Sequence, residues 1–514
     1  MTAPTGSAGF NVQGTTCHSQ FGVKPKKPEG DLTEYKIDQL RPRFRFSLCL
    51  IFDERSMMSC PLLGACERNC RKLLHNGMDE KKDWGNVPIV LLFGDDYQLP
   101  SVNKFNEGRG ATYIFNDKGD IDYDEFAKSK LQKSSEWLCN EMNGVQNFVK
   151  LATNVVEFTK THRVEEGQNM LRDILKTMRD EDGLNDQQAE DLLSRHLSSG
   201  KVSQERIEWL KHNATWIFPT NEQVSEKNYD KIKDLVNKDN PVCNLFGEIR
   251  ESETNNTGRV FKSHFESDAL QAKSRHCTLC RQAKCALDRN VWAEKGLYNG
   301  AIVTVIEIRF EKGRNPNLGH EPVYVIIDCP SYTGPAWIPE HPTWLPLPMC
   351  DTFCKRCCCK ITQTPLQLGF ARTGQKFQGL QVGPTHNIKA IVADPGSINN
   401  EARCPGYTYM ICSRVSTIGA TPNDSALYFT GNANQRERFT DLTHKRSGQG
   451  KYESIKKREN WLKFVTKQKD QTDMKLTKEE MTDLKHWANE TRINQTDLHD
   501  IIEYHSHQGK LQRN

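Results

Sequence analysis

Leu91-Leu-Phe-Gly94-Asp95-Asp96-Tyr97-Gln98-Leu99-Pro100 is the stretch on which the fold of this chain turns. An apolar run, Val87-Pro-Ile-Val-Leu-Leu-Phe93, stops at a glycine turn, two acids, a glutamine amide and a proline. Near-continuous apolarity of that length predicts a strand buried on both faces of a parallel sheet. Ligands of open α/β sheets bind beyond the carboxyl ends of the strands, so the acids stand where chemistry is done. The pattern occurs once before, where Leu48-Cys-Leu-Ile-Phe52 runs into Asp53-Glu54. Such a pair can hold a hydrated Mg²⁺ through one carboxylate while the other positions a water for attack on phosphorus. It can equally cap the next helix.

Further apolar runs follow at Thr215-Trp-Ile-Phe218, Ala301-Ile-Val-Thr-Val-Ile306 and Val323-Tyr-Val-Ile-Ile327. Helical spacing lies between them, at about 129–150 and over 167–179, where Met170, Ile174, Leu175 and Met178 make one face. The alternation predicts an α/β fold with parallel sheets. From Gly313 to Pro348, prolines that include Pro335, Pro339, Pro342, Pro346 and Pro348 exclude helix and favour short edge strands, so this segment and its flanking strands read as a β insertion. Beyond Asn432 the chain is polar, with basic runs at Lys445 and Lys456, and reads as a basic helical tail.

The length of 514 residues suggests about three units at roughly 150 residues each. Seventy Lys plus Arg against 66 Asp plus Glu leave a net charge of only +4, so a nucleic-acid surface has to be a local patch. A mean hydropathy of −0.70, with no apolar run near the roughly 18 residues that span a bilayer, predicts no membrane partner. The start, MTAPTGSAGF, lacks a secretory pattern. Residence inside the cell is therefore expected, with the 18 cysteines as reduced thiols. His276-Cys277-Thr-Leu-Cys280 and Cys354-Lys-Arg-Cys357 could supply four thiolates to a zinc ion. Cys280 and Cys354 lie 74 positions apart, where zinc modules of this kind leave about 15–20, so zinc is not expected.

The segments DERSM from Asp53 and GDDYQLPSV from Gly94 together resemble the Pif and RecD-like helicases of superfamily one. The similarity continues almost end to end. It takes in TAPTGSAGFNVQGTTCHSQF from Thr2, Thr161-His162-Arg163, Phe218-Pro-Thr220-Asn221, Leu297-Tyr-Asn299-Gly300, Pro365 to Gly379 and Tyr409-Met-Ile-Cys-Ser413-Arg414-Val415. The resemblance implies two RecA-like motor domains, 1–157 and 158–431, with an SH3-like β insertion at about 313–348 in the second and the tail at 432–514.

The resemblance also implies an ATP-dependent, 5′-to-3′ DNA helicase that uses ATP and Mg²⁺. Asp53 would hold Mg²⁺, Glu54 would activate water, Gln98 would sense the γ-phosphate, and Arg163 and Arg414 would be arginine fingers. Lys376, Gln378 and Gly379 would face the nucleotide. Thr5, Gly6, His18, Thr220, Asn221, Thr373 and Lys376 would touch single-stranded DNA. His18 can also be read as a packed histidine, and Asn299-Gly300 as an ordinary hairpin turn. Gly374, Gln375 and Phe377 depart from the family's pattern in its TIHKSQG segment. Partners would be single-stranded or forked DNA bound by a monomer, and the setting DNA repair, recombination or telomere maintenance in a nucleus or mitochondrion.

Such a motor needs G-x-x-x-x-G-K-[ST] to cradle phosphates, and these 514 residues hold none. The Gly-Lys pairs at Gly200, Gly450 and Gly509 are followed by Val, Tyr and Leu. The resemblance places that loop ahead of Met1, so the expectation is a clipped motor with severely reduced ATPase activity. The alternative is a non-enzymatic remnant that binds single strands.

Overall fold

The computed structural model describes residues 1–24, 27–45, 47–74, 82–95, 97–99, 135–151, 155–156, 158, 161–180, 183–246, 248–250, 276–314, 322–353, 360–404 and 406–442. Of the expected tail at 432–514, residues from Thr443 onward lie outside them, while 432–442 belong to the second unit, where Arg438 and Phe439 are buried. The described residues fall into two compact units, those of Met1–His162 with Ala402–Gly406 and those of Arg163–Glu401 with Tyr407–Leu442. No helix among them is long and apolar enough to cross a membrane.

In the first unit, β1 (Thr2–Ala3), β2 (Thr15–Thr16), β3 (Cys49–Phe52) and β4 (Ile89–Leu92) form a parallel sheet in the order β2-β1-β3-β4. β4 departs from the expectation of burial on both faces. Among the described residues it pairs with β3 alone, and Leu91 is 39% and Phe93 36% exposed. The core sits behind β3. The Phe52 ring stacks on Phe21 at 5.5 Å and tilts against Trp84 at 5.3 Å, and all three are buried.

Two helices close this core. The first, Cys60–Leu74, begins where the Ser59 hydroxyl accepts the Leu62 amide and ends with Arg71 and Lys72 against the helix dipole. The second, Ser135–Leu151, crosses it at two glycines. A Cβ on Gly64 would fall 1.9 Å from the Asn140 carbonyl oxygen, and one on Gly144 1.9 Å from that of Cys60. The approach is clasped by Asn140, whose Nδ2 donates to the Pro61 carbonyl at 2.6 Å, and by Asn143, which donates to Gly64 O and Glu67 Oε2. Because a methyl has no room there, Gly64→Ala is expected to cost about 1–3 kcal/mol. Urea unfolding checks this; an unchanged midpoint would show that the helices part freely.

The second unit contributes β5 (Thr215–Phe218), β6 (Cys243–Phe246), β7 (Glu248–Arg250), β8 (His276–Leu279), β9 (Lys284–Leu287), β10 (Ile302–Arg309), β11 (Tyr324–Asp328), β12 (Trp344–Pro348), β13 (Cys350–Phe353), β14 (Lys360–Gln363), β15 (Leu366–Leu368), β16 (Ala371–Thr373), β17 (Ile391–Ala393) and β18 (Leu427–Phe429). Its parallel sheet runs β16-β5-β17-β18. A separate antiparallel sheet runs β12-β11-β10-β9-β15. The apolar runs at 301–306 and 323–327 are thus antiparallel neighbours; Val303, Val305, Val325 and Ile327 are fully buried while the residues between them are only partly so. Pro346 and Pro348 are tolerated because β12 lies at the sheet's edge, where a missing N–H is not needed. The helix Asn169–Asp180 buries Leu171, Ile174, Leu175 and Met178, with Leu171 rather than Met170 completing the face.

Candidate nucleotide and nucleic-acid sites

Asp53 and Glu54 leave the carboxyl end of β3, in the middle of the first sheet. Glu54 is 9% exposed and its backbone is left-handed, φ 52° and ψ 48°. That conformation is rare for a side chain of this size, and such strain persists where the surroundings enforce it. The enforcement is visible: the Asp53 amide donates to Thr2 O, and the Arg55 amide to Phe93 O at the end of β4. Gly94 fits there because any Cβ would stand 2.6 Å from Arg55 Cγ. Asp95 then organises its own loop, accepting the Tyr97 amide at 3.1 Å and Gln98 Nε2 at 3.4 Å. The structure therefore holds Asp53, Glu54, Asp95 and Gln98 at the ends of two adjacent strands. Asp96 and Pro100 lie outside the described residues.

Thr5 and Gly6 open the short helix Gly6–Asn11, and the Thr5 hydroxyl is occupied in capping it, accepting the Ala8 amide at 3.3 Å. His18 lies in the helix Cys17–Gln20, and burial lowers its pKa.

In the second unit, two parallel neighbours carry the strand-end candidates to one edge, since Thr373 on β16 registers with Phe218 on β5. Thr220 and Asn221 follow β5 and are exposed; the Thr220 hydroxyl accepts the Gln223 amide and starts the helix Asn221–Leu235. After Thr373 come exposed Lys376, whose Nζ donates to Gln367 Oε1 at 3.3 Å, buried Gln378, and Gly379 at φ 86°. The family departures have a packing reason. A Cβ on Gly374 would meet the Tyr407 ring at 2.4 Å, and Phe377 is fully buried, directed into the core.

Arg163 and Arg414 are brought together by backbone. Arg163 Nη1 donates to Ser413 O at 2.9 Å, the Glu165 amide to Ser416 O, and the Ser416 hydroxyl to Glu165 Oε1 at 2.7 Å. Arg163 is half-buried, whereas Arg414 is 1% exposed and belongs to the interior as the chain is folded. Sequence reasoning passed over two residues here. Asp394, at the end of β17, is buried and accepts the Gly396 amide at 2.8 Å and Gln223 Nε2 at 3.2 Å; an acid closing an apolar strand was the available signal. Arg372 is the other, and the sequence offered none.

Cys277, on β8, and Cys280, just after it, are buried cysteines outside any disulfide, and burial raises Cys280 above the ordinary thiol range. Cys354 and Cys357 lie outside the described residues. Among the described residues no group of three or more His, Cys, Asp or Glu is arranged to hold a metal ion.

Residues 1–174 match the family described as PIF1-like helicase. A curated relative, ATP-dependent DNA helicase PIF1 of Emericella nidulans, is 32% identical over 118 residues, 22% of this chain and 15% of the relative's length. The crystal structure of Pif1 helicase from Candida albicans superimposes with a TM-score of 0.55 at 19% identity, covering 90% of this chain and 88% of that one. Pif1 helicase from Bacteroides in complex with ADP-AlF3 and ssDNA gives 0.53 at 20% identity, covering 85% and 83%. The fold is that of two RecA-like motor domains. The likeness to PIF1-like helicases is therefore carried by residues 1–174, and the solved structures extend the likeness of fold over most of the chain.

Proposed function

We propose that this protein is the motor of an ATP-dependent DNA helicase of the Pif1 type, moving 5′-to-3′ on single-stranded or forked DNA. The observation that carries this reading is Glu54, held left-handed and nearly buried between Asp53 and the Asp95–Gln98 loop. Backbone outliers of this kind cluster at active sites, where the surroundings hold them in place. The donor set is all oxygen and suits Mg²⁺. Bound ATP with Mg²⁺ would supply the scissile phosphoanhydride. Asp53 would hold the cation, Glu54 would take a proton from the attacking water, and Gln98, which donates to Asp95, would offer its amide to a phosphate oxygen. Arg163 and Arg414 would offset charge on the phosphoryl oxygens. Thr5, Gly6, His18, Thr220, Asn221, Thr373 and Lys376 contact the strand.

A second reading is favoured by one fact: the 514 residues contain no G-x-x-x-x-G-K-[ST]. On that reading they bind single strands without turnover. One experiment serves both, namely fluorescence anisotropy of a labelled oligodeoxythymidine across KCl concentrations, beside an ATP hydrolysis assay. We expect log affinity to fall linearly with log salt, by about 0.7 per phosphate contact. Strand-stimulated hydrolysis would select the motor, and binding with no hydrolysis the remnant. No strand binding at low salt would refute both.

A further inference from the structure

Arg372 is a buried charge with too few partners. Its side chain is 4% exposed, and Nη1 donates to the Gly300 carbonyl at 2.8 Å. Nε and Nη2 are buried with no hydrogen-bond partner among the described residues. Burial lowers its pKa to about 10, opposed only by Tyr298. Two other buried arginines of this unit are better provided for, although Arg438 Nη1 is also without a hydrogen-bond partner among the described residues. Arg438 meets Glu401 at 3.2 Å and the Pro395 and Gly396 carbonyls, and Arg195 donates to the carbonyls of Asp191 and Ile418. A guanidinium left this way is costly, and local rules broken without compensation mark functional positions.

Its place indicates the ligand. Arg372 sits on β16 immediately before Thr373 and the exposed Lys376, under the turn Tyr298-Asn299-Gly300, in which Asn299 is exposed and Gly300 adopts φ 95°. We propose that Arg372 is an anion receptor beneath this turn, taking a phosphodiester oxygen of a nucleic-acid strand that crosses the Thr373–Lys376 loop once the turn lifts. A planar fork of N–H donors matches phosphate geometry. The proposal rests on the strand-binding reading above, and its test separates the two.

The test is oligodeoxythymidine anisotropy over a KCl series, with thermal melting, on the wild type, Arg372→Met and Arg372→Gln. Removing an unpaired buried charge should leave melting unchanged or raised. Affinity should nevertheless fall about tenfold, as for a lost hydrogen bond to a charged group, and the salt slope by about 0.7. A wild type that binds no strand refutes the strand-binding reading itself. A wild type that binds, with affinity and slope unchanged in both variants, overturns the receptor. Inorganic phosphate at constant ionic strength is the second arm. If it raises the melting temperature of the wild type alone while strand affinity is equal in all three proteins, the strand is overturned as the ligand. Should the Met variant fail to fold, the Gln variant carries the measurement; failure of both assigns Arg372 to the scaffold and overturns the proposal.

Discussion

Glu54→Gln should lower ATP hydrolysis by about 10²–10⁴-fold while leaving single-strand affinity within a few-fold. The measurement is strand-stimulated ATP hydrolysis beside oligodeoxythymidine anisotropy of the same variant. Glutamine keeps the length of the side chain and its left-handed backbone, and removes only the proton-accepting charge. The effect should therefore fall on the chemical step and spare the proposed strand contacts. Hydrolysis at the parental rate would overturn the role of Glu54. Glu54→Gly provides an internal control. A left-handed backbone costs an L-residue about 1–2 kcal/mol, so glycine should raise stability while losing the same activity. A variant that is more stable and less active would show that the strain at φ 52° is held for function.

Phe52→Ala should destabilise the first unit by about 3–5 kcal/mol, a large part of the 5–15 kcal/mol typical of a domain. Phe52 is fully buried between Phe21 and Trp84 and is the last residue before Asp53. Its loss opens a cavity that neither ring can fill without leaving the other. Urea unfolding followed by circular dichroism measures the cost; a change below about 1 kcal/mol would mean that the core collapses over the gap. Because the Asp53 amide is anchored to Thr2 on β1, the same variant should loosen the acidic turn before it unfolds the sheet.

Strands that end in acids were legible because apolar runs and charge change abruptly at the same residue, as at Phe52-Asp53 and Phe93-Gly94. Neighbours were not. A run such as 87–93 reads alike at a sheet's centre or its edge, and 301–306 reads alike in a parallel or an antiparallel sheet, because register and direction are set by partners far away in the chain. The candidate residues were found through motifs, yet the left-handed backbone of Glu54 and the burial of Arg414 are tertiary facts that no short pattern encodes. Arg372 was invisible for a similar reason. It occupies a position that the family's pattern leaves open, and only the fold shows that its guanidinium has been taken out of water.

The position of β4 at the edge of its sheet also bears on how the protein must be handled. Among the described residues β4 pairs on one side only, and exposed Leu91 and Phe93 add apolar surface beside it. An edge of that kind can template a further strand, so if a second copy pairs there, association should rise with protein concentration. A single lysine on that rim, in place of Leu91, is the kind of gatekeeper that other sheet proteins use.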